Sequence, residues 1–275
     1  MARRANRHRS RDAATASRRA AVRSRTACNP IRPFVTLPLI GALATMPSRA
    51  ATLARMLDSA AGQVERLFVL LDGFDAVPAQ VAANPKCHAV LLGRDETLHA
   101  SSRFLAPGLF GRDAIVCIFD DDILYPPDYA RRLAGRLAAH GGRAIVGVHG
   151  GLFTPPHERY VRDRRTVGFV DALGRESPVH VLGTGTIAFA TAAFAPDPRK
   201  WRHRGMDDLY VAAHACRAGL PLVAVARPAG WLKRLDGDQP DSIWHATQRD
   251  DRVHSELMRY VLSLYAGTVR DDWWR

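Results

Sequence analysis

A chain of 275 residues with 47% apolar, 8% aromatic and 24% charged positions carries ample material for a folded core, which excludes a disordered chain overall. The longest mainly apolar run, 34–46, contains Pro38 and falls short of the ~20 residues a membrane-spanning helix needs, and the four cysteines (Cys28, Cys87, Cys117, Cys216) form no C-x-x-C pair. That excludes a disulfide framework and a zinc ribbon and makes a reducing, cytoplasmic compartment the default.

The net charge of +12 is unevenly placed: residues 1–33 hold ten arginines against one acid, Asp12, and the rest of the chain holds 29 bases against 26 acids. A basic nucleic-acid-binding surface is therefore not expected over 34–275. The 1–33 segment is rich in Ala, Ser and Thr and has too few large apolar residues to offset its ordering entropy. It is read as a disordered, Arg-rich tail ahead of a single domain over 34–275. The tail is read as simply solvated, with a peripheral contact with anionic lipid at the inner membrane face, a nucleic-acid-binding arm and a signal or transit peptide as the alternatives. A leader of more than thirty residues before the apolar stretch is too long for the n-region of a signal peptide.

From residue 35 short apolar runs alternate with amphipathic stretches. Leu39–Thr45 predicts a first strand, with Ser48 as N-cap of a helix whose inward residues are Leu53, Met56, Leu57 and Ala60. Leu67–Leu71 predicts a second strand, 76–83 a short helical segment, Ala89–Leu92 a third strand, Leu98–Leu105 a weak helix, and Ala114–Phe119 a buried fourth strand. Pro126 and Pro127 open a helix carrying Tyr129, Leu133 and Leu137, closed by Gly141-Gly142, and Ala144–Val148 follows as a fifth strand. Further on, Thr166–Val170 is expected to pair with Val179–Leu182, and Thr186–Ala190 and Leu222–Ala226 read as strands. Asp207–Cys216 reads as a helix with Leu209, Ala212, Ala213 and Cys216 inward, and Val253, Leu257, Tyr260, Val261 and Leu264 mark a final helix stopped by Gly267. Strands alternating with helices predict an α/β fold with a mostly parallel sheet, whose ligands sit beyond the carboxyl ends of the strands. Polar residues fall at those ends in four successive cases: Ser48 and Arg49, Asp72, Arg94 and Asp95, and Asp120–Asp122.

Three adjacent carboxylates after a buried strand repel one another unless a cation or strong donors neutralise them. In an extended segment Asp120 and Asp122 project the same way, and two oxygen donors on one side suit Mg²⁺ or Mn²⁺; the alternative is a solvated turn capping the next helix. Asp207-Asp208 opens a helix, where the macrodipole stabilises carboxylates, and one of the two is a candidate general base.

The order of these motifs over 35–265 resembles the GT-A glycosyltransferases, family 2 in particular. Thr45-Met46-Pro47-Ser48-Arg49 resembles the T-x-P-x-R segment that contacts the nucleotide, and Leu71-Asp72-Gly73 the strand end that meets its base. Asp120–Asp122 resembles the D-x-D metal motif, and Gly183-Thr184-Gly185 the segment lining the donor-sugar and acceptor site. Asp207-Asp208 resembles the E-D pair whose second acid is the usual base, with Asp in place of Glu at the first position. The resemblance implies a GT-A, Rossmann-like mostly parallel sheet with a smaller antiparallel acceptor-side section. It implies transfer of a sugar from a nucleotide-diphosphate donor to the hydroxyl of a glycan, lipid-linked or small-molecule acceptor, with inversion. It implies Mn²⁺ or Mg²⁺ on Asp120 and Asp122, completed by a late histidine for which His245 is the candidate. Pro47, Ser48, Arg49, Asp72, Asp95, Asp120 and Asp121 would meet the nucleotide, Gly183, Thr184 and Gly185 the sugars, and Asp208 or Asp207 would act as base. No Q-x-x-R-W motif of processive members is evident. His149, His180 and Trp201 are weighed as acceptor-side residues against core or surface roles.

A sugar-phosphate nucleotidyltransferase shares the sheet and metal logic, but the turn after the first strand has no glycine-rich phosphate loop, which also disfavours a dinucleotide-binding dehydrogenase. A receiver domain is about half this length and wants a lysine after the fifth strand. A non-catalytic binding protein, either a degenerate GT-A domain or a basic-tailed nucleic-acid adaptor, is the reading from a different class.

Overall fold

The computed structural model describes residues 37–93, 98–235 and 243–266. Four parallel strands start the domain: β1 (Leu39–Thr45), β2 (Arg66–Asp72), β3 (Cys87–Leu92) and β4 (Ile115–Phe119). Their crossovers carry α1 (Ala50–Ala60), α2 (Ala79–Ala82) and α3 (Ala106–Phe110), with 3-10 turns at Pro47–Arg49, Ala61–Gln63 and His99–Leu105. Then follow β5 (Ile123–Leu124), α4 (Tyr129–Ala139), β6 (Ile145–Gly147), β7 (Gly150–Phe153), β8 (Arg164–Val167), β9 (Ser177–Pro178), β10 (Val181–Leu182) and β11 (Ile187–Ala190). The described chain closes with α5 (Asp207–Arg217), β12 (Leu222–Ala224), β13 (Lys233–Arg234), α6 (Ile243–Arg249) and α7 (Arg252–Tyr265).

Eight strands form one sheet in the order β3-β2-β1-β4-β11-β6-β12-β9. It is mostly parallel, with β11 antiparallel to both neighbours and β9 antiparallel to β12 at the edge. A three-stranded antiparallel sheet, β10-β7-β8, and a two-stranded ribbon, β13-β5, complete the α/β architecture.

The strand runs are continuously apolar because both faces of the sheet are covered. In β4, Val116 and Ile118 join a core that includes Phe189, Trp201, Tyr210, Leu257 and Val261. Ile115, Cys117 and Phe119 point to the other face, among Leu53, Met56, Leu57, Tyr129 and Leu133. This is the two-residue alternation of an extended chain. Gly41 in β1 is a packing requirement, since a Cβ there would stand 2.7 Å from Leu67 Cδ1 and 2.9 Å from Phe119 Cε2. No described helix is long and apolar enough to cross a membrane.

The structure corrects several local expectations. Ser48 does not cap α1: Pro47 fixes a 3-10 turn first, the helix starts at Ala50, and the Thr52 hydroxyl donates to the Arg49 carbonyl at 3.0 Å. The 98–105 segment is a 3-10 turn rather than an α-helix. The segments around 166 and 181 do not pair with each other, because β7 runs between them and takes β8 on one edge and β10 on the other. Gly150 and Gly151 permit that approach; a Cβ on Gly150 would lie 3.0 Å from the Val181 carbonyl oxygen. Cys216 is only half-buried on α5. The 1–33 tail, Arg94, Asp95 and Gly267 lie outside the described residues.

Candidate active site

The parallel register carries the ends of β1, β2 and β4 to one edge of the sheet. Past the buried Phe119, the Asp120 N–H donates to Tyr125 Oη at 2.7 Å, and the Tyr125 hydroxyl donates to the Gly185 carbonyl at 2.8 Å. This double contact ties the end of β4 to the turn before β11. Asp120 and Asp122 line a cavity of about 770 Å³, and Asp121 is not among its lining residues. Burial, reinforced by the charges of Asp120 and Asp122, pushes the Asp121 carboxyl up to about 7, against the opposing pull of Thr45 and Arg49. Burial and the Asp120 charge push Asp122 up to about 6, against Arg49 and Arg234.

The Gly183-Thr184-Gly185 segment forms the cavity floor, and both glycines are required by space. A Cβ on Gly185 would stand 1.7 Å from Asp120 Oδ2, and one on Gly183 would stand 2.6 Å from His149 Cδ2. Thr184 between them donates to Asp208 Oδ1 twice, from its backbone N–H at 2.9 Å and its hydroxyl at 2.8 Å. Asp207 and Asp208 occupy the first turn of α5, where exposed helix N–H groups favour anions. Both line the cavity, and burial raises both carboxyls above the ordinary carboxylate range.

Arg103, 6% exposed, links the two acidic groups. Its Nη1 pairs with Asp120, and its Nη2 donates to Thr184 Oγ1 at 2.9 Å and lies 3.3 Å from Asp207 Oδ2. The Ser101 hydroxyl also donates to Asp207. Burial disfavours the Arg103 charge, but Asp120 and Asp207 more than offset it and hold the guanidinium protonated. Sequence reasoning missed Arg103, Ser101 and Tyr125. The available signal was a single Arg directly ahead of the Phe104-Leu105-Ala106 apolar run: a charge drawn inward with that run needs a buried partner.

Of the residues expected to form the site, Asp120, Asp122, Gly183, Thr184, Gly185, Asp207, Asp208 and His245 share this cavity. Pro47, Ser48, Arg49 and Asp72 are not among its lining residues. A Cβ on Gly73 would lie 3.9 Å from Pro47 Cδ, which places the ends of β1 and β2 side by side, and Asp72 Oδ2 is 3.0 Å from His99 Nδ1. Among the described residues no three His, Cys, Asp or Glu side chains gather closely enough to hold a metal, so Asp120, Asp122 and His245 are not a preassembled triad. Asp120 instead pairs with Arg103. His149 lines the cavity, whereas Trp201 is a core residue stacked on Tyr210 at 5.2 Å, and His180 accepts from the Phe153 N–H away from the site. The remaining wall carries Tyr160, Arg164, Phe169, Arg234 and Trp244.

No family model and no curated protein matches the chain. Among solved structures the chain is similar to a mannosyltransferase, PcManGT from Pyrobaculum calidifontis in complex with GDP-Man and Mn²⁺. The two share 14% sequence identity over 87% of this chain and 76% of that one, with a TM-score of 0.49.

Proposed function

We propose that the chain is a glycosyltransferase moving a sugar from a nucleotide-diphosphate donor to an acceptor hydroxyl, with a divalent cation and inversion at the anomeric carbon. One observation carries this reading: the acids at the end of β4 and the acids opening α5 meet in a single cavity across the Gly183–Gly185 floor. That meeting supports a metal-side group and a proton acceptor facing one substrate-sized space.

The donor set fits Mn²⁺ or Mg²⁺ held jointly with a diphosphate. Asp122 and Asp120 supply hard oxygen atoms from one side of the cavity, and His245 lines the same space. Asp120 would share its carboxylate between Arg103 and the cation, and diphosphate oxygens would supply the remaining ligands. When bound, the cation neutralises charge developing on the leaving diphosphate. Arg49, which acts electrostatically on Asp121 and Asp122, adds positive charge at the same rim.

Asp208 is the better base of the pair. Asp207 is 4% exposed and its two oxygens are taken by Ser101 and Arg103, whereas Asp208 is held through Oδ1 by Thr184 and is less deeply buried. A carboxyl raised by burial is better matched to accepting a hydroxyl proton near neutral pH than an ordinary aspartate is. Asp208 thus takes the acceptor proton as the hydroxyl attacks the anomeric carbon opposite the departing diphosphate.

Isothermal titration of UDP and GDP with and without Mn²⁺, followed by a donor-hydrolysis screen across nucleotide sugars, tests the reading. Metal-promoted binding of one nucleotide and hydrolysis of its sugar conjugate are expected. Absence of nucleotide binding in the presence of Mn²⁺ overturns it.

A further inference from the structure

Besides the four carboxylates, the cavity lining carries cationic and aromatic side chains. The Arg164 guanidinium on β8 lies between two rings, 4.5 Å from the centroid of Tyr160 and 4.8 Å from that of Trp244 on α6. Such stacking holds the planar group in place; Tyr160 also accepts a hydrogen bond from it, and the guanidinium's other N–H donors remain for an anion. Among the described residues no carboxylate lies within ion-pair distance of Arg164, although the cavity it lines holds four aspartates. Nearby His149 is kept neutral, pushed down to about 4 by burial and then by Arg164, Arg227 and Arg234, and its Nδ1 has no hydrogen-bond partner.

The cavity's two cationic side chains on this wall serve different ends of it. Arg234, 5.6 Å over Phe169, acts electrostatically on Asp122 and so belongs to the diphosphate side. Arg164 acts on Tyr160, which also feels Asp208, and so belongs to the side of the base. Trp244 beside it is 42% exposed and offers a face for a sugar or similar ring.

We propose that Arg164, framed by Tyr160 and Trp244, binds an anionic group, a phosphate or a carboxylate, on the acceptor whose hydroxyl Asp208 activates. The inference rests on the glycosyl-transfer reading and adds the acceptor's chemical class to it. A charge-assisted fork on a stacked guanidinium selects strongly for a planar or tetrahedral oxyanion, whereas a neutral acceptor would leave that charge unmatched in a partly desolvated wall.

The test is titration calorimetry of the full chain with Mn²⁺ against glucose, glucose 6-phosphate and glucuronate. The phosphate or the carboxylate, or both, should bind at least ~10-fold more tightly than glucose, and the two anionic arms identify which group is preferred. Arg164→Gln should remove that preference, and Arg164→Lys should retain part of it, since the charge remains but the fork does not. Melting temperatures of both variants check that the fold is intact. Equal binding of glucose and both anions, or an unchanged preference in a folded Arg164→Gln chain, overturns the proposal. Titration of UDP and GDP on the same preparation reports separately on transfer: anion binding without any nucleotide binding overturns the transfer reading and with it the acceptor role of Arg164.

Discussion

Thr184 grips Asp208 twice, with its backbone N–H at 2.9 Å and its hydroxyl at 2.8 Å on the same carboxylate oxygen. A single residue of the glycine-flanked turn therefore sets where Asp208 stands relative to Asp120, whose carboxylate rests against Gly185 next door. Asp120 and Asp208, the proposed metal-side acid and the proposed base, are positioned by consecutive residues of one short turn.

Asp208→Asn preserves both Thr184 hydrogen bonds but cannot take a proton. Transfer should fall by about 10²–10⁴-fold with nucleotide binding and melting temperature little changed. Steady-state kinetics with Mn²⁺ and the preferred donor check this, and an Asp208→Asn chain with normal turnover would remove Asp208 from the chemistry.

Asp207→Ala should behave differently, as a stability variant. It strips a buried counter-charge from Arg103 and leaves the Ser101 hydroxyl without its acceptor. Arg103 keeps Asp120 as a partner, so the loss should fall below the ~3–5 kcal/mol of a fully stranded buried charge. Urea unfolding should report that loss, and Asp207→Asn, which keeps an acceptor for Ser101 and Arg103, should recover part of it.

Gly185→Ala puts a methyl where Asp120 Oδ2 now lies. The obstructing atom is the tip of a side chain, so the fold should survive while the carboxylate is displaced. A shift on the order of 1 Å at such a site costs about 10²-fold in rate. Weaker Mn²⁺-dependent nucleotide binding together with near-normal melting is the expected pattern.

The triple-aspartate stretch also predicts a pH signature. In the folded chain Asp121 is pushed up to about 7 and Asp122 to about 6, from an ordinary 3.8. Both bind protons more tightly when folded, so their contribution to stability is present below about pH 4 and is lost as pH rises through 6 to 7. His149 and His214, each lowered to about 4 from 6.5 mainly by burial, work the other way: their contribution is lost as pH falls from 6.5 toward 4. Asp121→Asn removes one member of the first set only. Its melting temperature should gain on that of the unaltered chain from pH 4 to 7 and hold a constant lead above 7. A lead that is independent of pH would show that Asp121 is ionised at an ordinary value.

The α/β sheet was legible from residue order alone because its parallel strands are buried on both faces and read as short continuous apolar runs: the predicted Leu39–Thr45 and the observed β1 coincide. The placement of acids at strand ends followed from the same pattern, since the chain must turn there and the ends of parallel strands share an edge. Arg103, Ser101 and Tyr125 were illegible because their importance depends on contacts 17 to 106 residues away or on a hydroxyl caught between two backbones. The β8–β7–β10 pairing was misjudged because two glycines look like turn residues locally and act as packing allowances only when a neighbouring strand lies against them. What the amino-acid order determined was which segments extend, which coil and where carboxylates cluster. Which carboxylate is clamped by Arg103, which is held by Thr184 and which cations share their cavity was decided by tertiary structure, because burial and charge pairing exist only once distant segments share a low-dielectric cavity.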